Sequence, residues 1–295
     1  MVTDTQDPVS HESKPHVTII EPENRWSVLD WRELLEFRDL YWFLVWRGVK
    51  SRYAQSVMGV GWAVIQPVFS MIVFSIVFGR LASVQSDGVP YSIFAFAALI
   101  PWTYFANAIT DGSNSLISNS ALLSKVYFPR IFLPLAAVTA KLIDFAIAMV
   151  LLVLMLIWFG IMPDARVFIL PYLVFLMMIT AAGIGAWLTA LAVQYRDVQH
   201  ATSFLVQLLM YAAPVVYPTS LIPKSYPVLG FDVNMQYLYA VNPMVGVIEG
   251  FRSGLLGSRP MPWDLIGIGT VSAVVIAITG FVYFRKRELH FADVA

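Results

Sequence analysis

The sequence predicts an all-α polytopic membrane protein, with six transmembrane helices, an N-terminal amphipathic interface helix and re-entrant helices between spans five and six. Three observations predict it. Of 295 residues, 58% are apolar and only 13% charged, with a mean hydropathy of +0.70, whereas a soluble domain is roughly 25% charged. Apolar runs of spanning length recur along the chain, and one crossing needs about 20 mostly apolar residues. Between the runs, Lys and Arg gather in alternate flanks, the pattern of a chain threaded through a bilayer.

Residues 1–25, with Pro8, Pro15 and Pro22, carry no periodicity and no apolar run. They read as a disordered cytoplasmic tail without a cleavable signal peptide. Residues 26–52 read as the interface helix. Trp31, Leu34, Leu35, Tyr41, Trp42, Val45, Trp46 and Val49 share one face, broken only by Arg38, and charged residues occupy the other. Such a helix suits the membrane plane or the flank of a protein core.

The six-span membrane region follows over 53–290, with spans expected at Gly59–Phe78, Tyr91–Ile109, Ile131–Phe159, Val167–Val193, Phe204–Tyr217 and Leu265–Phe284. Pro214 and Pro218 close the short fifth span. After it, the apolar run Met244–Leu256, interrupted by Gly246, Gly250 and Gly254, is too short to cross and reads as re-entrant. Arg47, Lys50, Arg52, Lys125, Arg130, Arg196, Arg285, Lys286 and Arg287 fall on one side and Arg80, Arg166, Lys224, Arg252 and Arg259 on the other. Both termini are therefore expected in the cytoplasm.

Several functions are excluded or unsupported. The chain has no cysteine, so thiolate metal sites, disulfides and a cysteine nucleophile are absent, and its four histidines lack metal-ligand spacing. No metal site and no catalytic residue are expected. No G-x-x-x-x-G-K-[ST] phosphate loop and no G-x-S-x-G elbow occur, and the net charge of zero gives no pull toward nucleic acid.

Polar residues inside the spans carry the remaining signal. Lys141 and Asp144 lie three apart in span three, and Glu249 and Arg252 lie three apart in the re-entrant stretch. Each pair is expected to neutralise itself, because unpaired charge at membrane depth costs several kcal/mol. Trp62, Gln66 and Phe69 share a face of span one, and Gln207 and Tyr211 a face of span five. They read as a wet path or as helix packing. A cytoplasmic coupling helix is expected over about 113–130, with Leu116, Ile117, Leu122, Leu123 and Val126 as an apolar face for a partner or for the bilayer. Gln194–Val198 reads as a polar hinge and a capped turn with an Arg–Asp pair.

Ser51–Pro67, Lys125–Arg130, Tyr195–Val198, Ala213–Pro218 and Asn242–Arg252 resemble, in order, the signature stretches of type 2 ABC exporter permeases. Within that family the chain resembles the permeases of O-antigen polysaccharide and teichoic acid export. The resemblance covers roughly residues 30–290. It implies a homodimer in the bacterial cytoplasmic (inner) membrane, two separate ABC ATPase subunits that bind ATP and Mg, no cofactor in this chain, and a lipid-linked glycan as substrate. It also implies ATPase coupling through Leu122, Lys125, Arg130, Tyr195, Arg196 and Asp197. An outer gate follows over about 218–263, worked by Tyr217, Glu249 and Arg252, with Trp62, Gln66, Phe69, Gln207 and Tyr211 along the substrate channel. An ion-coupled secondary transporter is the alternative; against it, no repeated half is visible.

Overall fold

Five helices of the computed structural model are long and apolar enough to cross a membrane, among the residues the structure describes. Those are 35–54, 59, 61–123, 125, 127–228 and 231–288. The tail 1–25, Trp31–Leu34, Val126 and His290 lie outside them.

Helix α1 (Arg38–Tyr53) precedes the first span. Tyr41, Leu44, Val45 and Val49 turn inward, Leu44 and Val45 fully so, while Trp42 and Trp46 stay exposed. The expected stripe therefore divides. At about 100° per residue, Tyr41, Leu44, Val45 and Val49 fill one packing face and the two tryptophans flank it. Tyr41 shares a 2.6 Å hydrogen bond with Thr139 and tilts against Phe132, which ties α1 to span three.

Helix α2 (Gly61–Phe74) continues through π-helical turns at Ser75–Leu81. Almost none of it is buried within the chain. Helix α3 (Tyr91–Ser118) is its opposite, with Ile93 to Trp102 buried without interruption. It is the central pillar, touching the first, third, fourth and fifth expected spans.

After α3 come the single turn α4 (Ser120–Leu123), then α5 (Phe132–Ala140) and α6 (Leu142–Trp158), which meet at Lys141 and together form span three. The expected coupling helix takes another form. Residues 113–118 belong to α3, and of the apolar face Leu116 is buried and Leu122 and Leu123 are half-buried against the core around α1, while Ile117 stays exposed. Helical continuity costs less than a new start, because nucleating a turn fixes several residues for one hydrogen bond.

Helix α7 (Leu170–Gln194) and the last helix, α11 (Trp263–Glu288), pack closest of all. A Cβ on Gly183 would stand 2.6 Å from the Cα of Ala277, and Gly280 meets Gly183 in turn. Small residues let backbones approach where the hydrophobic effect gives no drive between helices.

Helix α8 (Asp197–Tyr211) has only 15 residues, about 22 Å at 1.5 Å per residue, so it is short of the roughly 30 Å hydrocarbon core. The expected fifth span is thus a short helix followed by a buried, non-helical segment, with Ala213, Val215 and Val216 covered. Pro214 ends the helix because it has no N–H to continue the ladder. A strand pair follows, β1 (Tyr226–Val228) antiparallel to β2 (Phe231–Val233), with Pro227 opposite Asp232. The all-α expectation omits this hairpin. Beyond the short helix α9 (Met235–Tyr239), α10 (Pro243–Leu256) is buried along its whole length and capped by the Asn242 side chain. Its glycines do not interrupt it. Gly246 lies against Leu265 and Ile266, Gly250 against Leu173, and Gly254 against the carbonyl of Arg166.

Candidate functional site

Two polar constellations lie inside this apolar frame. The first surrounds a cavity of about 320 Å³ where the end of α1 meets α2, α3 and α6. Trp62 and Gln66 of α2 form one wall, and Thr103, Tyr104 and Asn107 of α3 another. Lys141 and Asp144 lie on the same cavity but do not pair with each other. Lys141 Nζ donates to Asp111 of α3 at 2.6 Å. Asp144 accepts from Arg52 and from the Tyr53 hydroxyl, and Arg52 also reaches Asp111 at 2.8 Å. The expected intrahelical pair is replaced by a network across α1, α3 and span three.

The physical reason is coordination. Two cations and two carboxylates in one cluster give each charge an opposite neighbour, and side chains from three helices supply more bonds than one pair can. Burial and the bond to Asp144 push the Tyr53 hydroxyl up to about 12, so it stays a donor into alkaline pH. Thr103, Asn107 and Asp111 recur every fourth residue on one face of the apolar α3. The sequence analysis passes over Asp111, which that spacing would have flagged.

The second constellation centres on Arg252 of α10. Its guanidinium donates to the carbonyls of Val215 at 2.8 Å, Tyr217 at 3.3 Å and Phe94 at 3.3 Å. It also meets Glu249 Oε1 at 3.2 Å, as expected from the sequence, and that oxygen accepts from the Thr219 amide at 3.1 Å. The Tyr91 hydroxyl donates to the Val216 carbonyl at 2.7 Å, and the Tyr217 hydroxyl shares a 2.9 Å bond with Tyr239. Side chains thus satisfy the unwound segment after α8 almost residue by residue. Without them, buried carbonyls would be left bare among apolar side chains, which is costly. Tyr217, Glu249 and Arg252 come together; Tyr91 and Phe94 join them without any sequence signal.

The other expected site residues are more dispersed. Phe69 is two-thirds exposed on α2, outside the cavity that Trp62 and Gln66 line. Gln207 and Tyr211 lie exposed on α8 and take no part in that cavity. Leu122 is half-buried and Lys125 exposed. The Arg130 amide donates to Glu288 Oε1 at 3.1 Å and its guanidinium to the Glu288 carbonyl at 2.9 Å, joining the loop after α4 to the end of α11. Tyr195, Arg196 and Asp197 are exposed. No ion pair joins Arg196 to Asp197 among the described residues, which corrects the expected pair. Asp197 instead opens α8, where a carboxylate complements the helix dipole.

Membrane-length helices around a buried pillar, with charge networks inside them, define a multi-pass membrane protein of the transporter type. Residues 39–256 match the family model of the ABC-2 type transporter, and the chain belongs to that family. It is 29% identical to the O-antigen export system permease protein RfbA of Myxococcus xanthus, over 87% of this chain and 96% of that one. It is 24% identical to a protein of the same name from Klebsiella pneumoniae, covering 87% and 95%. It is also 22% identical to the polysialic acid transport protein KpsM of Escherichia coli, covering 82% and 91%.

Proposed function

We propose that this chain is the permease subunit of an ATP-driven exporter that moves a lipid-linked polysaccharide, of O-antigen or teichoic-acid type, across the bacterial cytoplasmic membrane. The observation that carries it is end-to-end similarity to polysaccharide export permeases, over 96% of the length of the Myxococcus relative. Two such chains pair, and two separate ATPase subunits bind ATP and Mg beneath them. Support for pairing comes from α2, which offers Trp62, Ile65, Phe69, Ile72 and Val73 to its surroundings. A face so apolar is satisfied by lipid or by a second copy.

In this reading α8 and the segment Ala212–Tyr217 form the fifth of six crossings, α10 re-enters the membrane from outside, and both termini are cytoplasmic. Trp62, Gln66, Phe69, Gln207 and Tyr211 line the route. Aromatic faces and amides hold a sugar chain weakly at many equivalent points, so it slides. Tyr217, Glu249 and Arg252 work the outer gate. Leu122, Lys125, Arg130, Tyr195, Arg196 and Asp197 couple the ATPase. Deleting the gene should remove the polysaccharide from the cell surface while lipid-linked polymer accumulates inside, and complementation should restore display. Undiminished display in the deletion strain sinks the reading.

A further inference from the structure

We infer that a second cavity, on the hairpin-bearing side, is a binding site for one neutral pyranose unit. The inference rests on the polysaccharide export reading and gives its outer gate a ligand. The cavity holds about 770 Å³, within the roughly 300–1,000 Å³ of small-molecule sites. Glu249 and Arg252 lie against it from α10, and its walls come from the α2–α3 turn, the segment before β1, α9 and the start of α11. It therefore shares two residues with the constellation that fastens the unwound segment.

Its chemistry selects the ligand. Three cations (Lys224, Arg252, Arg259) face three carboxylates (Asp87, Glu249, Asp264), so neither an anion nor a cation gains from net charge. Two of the pairs are already closed, Arg252 with Glu249 at 3.2 Å and Arg259 with Asp87 at 2.9 Å. The rest is hydrogen-bonding capacity turned to solvent and open to a ligand. Lys224, Ser220 and Ser258 make no side-chain hydrogen bond or ion pair among the described residues. Among the described residues, Asp264 has only a long 3.5 Å contact from the Tyr237 hydroxyl. Gln236 spends its Nε2 on the carbonyls of Thr219 and Ile222, and its Oε1 remains an acceptor. An apolar ligand would strip water from these groups without replacing its hydrogen bonds. A ring bearing several hydroxyls, each both donor and acceptor, pairs them, and Tyr237 adds a partly exposed aromatic face.

The chain has no cysteine, so one introduced thiol reports on the cavity. Full-length Ser258→Cys in nanodiscs is labelled with a maleimide in the presence of methyl mannoside, methyl glucoside or methyl N-acetylglucosaminide. A sugar at ten times its Kd leaves about one site in eleven open, so labelling should slow about tenfold. Ser225→Cys, outside the cavity, should label at an unchanged rate. Lys224→Ala, at an exposed side chain, and Gln236→Ala should each weaken the protection. Protection by inorganic phosphate in place of the sugars, or unslowed labelling with all three, overturns the inference.

Two further arms separate the source of the sugar and the source of any failure. Protection in cells that make the polymer, lost when its synthesis is blocked, assigns the site to exported glycan. Protection by added glycosides alone assigns it to free sugar, and either result supports a pyranose site. Complementation of surface display is scored in the same strain. Normal export with an unprotected thiol removes only the site, whereas a protected thiol without any role in display removes only the exporter reading.

Discussion

The guanidinium carbon of Arg252 stands 3.6 Å from the centroid of the Phe94 ring, while the same group donates to the Phe94 carbonyl. One side chain thereby joins α10 to the central pillar and to the unwound backbone after α8. Removing one partner of a buried ion pair costs about 3–5 kcal/mol, whereas replacing both by apolar groups of similar volume is often nearly neutral. Arg252→Ala should therefore lower the thermal stability of the solubilised protein sharply. Arg252→Met with Glu249→Met should recover part of it but not the carbonyl bonds. Equal melting points for the single and double variants would show that the pair is not a unit.

Arg52, Asp111, Lys141 and Asp144 make a neutral group of four, so single removals leave an odd charge. Arg52→Ala and Asp144→Asn are each expected to destabilise, and the double variant to lose less than the sum of the two. Residues in one such network show couplings of about 0.5–3 kcal/mol. Strict additivity in a double-mutant cycle would argue against the network.

Trp62→Ala and Tyr211→Ala should reduce surface polysaccharide while the amount of folded permease stays constant. Tyr211→Phe should be milder, since the ring face remains. Export that falls only in proportion to folded protein would assign these side chains to packing.

An impermeant maleimide in intact cells should label Ser225→Cys and not Ser118→Cys, both at exposed positions. The reverse pattern inverts the proposed topology.

The purified chain should hydrolyse no ATP until a P-loop subunit is co-expressed. Leu122→Pro should release that subunit. Arg130→Glu confronts Glu288 as well as any partner, so Glu288→Ala is the control. If Glu288→Ala alone releases the ATPase, Arg130 acts through the internal joint to α11.

Five of the six expected spans, and their order, were legible in the chain, because a long apolar run in one segment is a local property; the fifth, cut short by its prolines, was not. Span three was expected at Ile131–Phe159 and is found at Phe132–Trp158. The Glu249–Arg252 pair was legible too, since i and i+3 share a helix face, but the same spacing left Lys141 and Asp144 with other partners. Tertiary structure alone decided the partners of Lys141 and Asp144, because a charge three residues away on the same helix competes with Asp111 and Arg52 arriving from others. It also decided how α8 ends. A proline announces that the helix stops, but whether the next backbone lies in water or under cover depends on Tyr91 and Arg252, distant in sequence, supplying its hydrogen bonds. Propensity is written in neighbouring residues; the satisfaction of buried polar groups is settled only where separate helices meet.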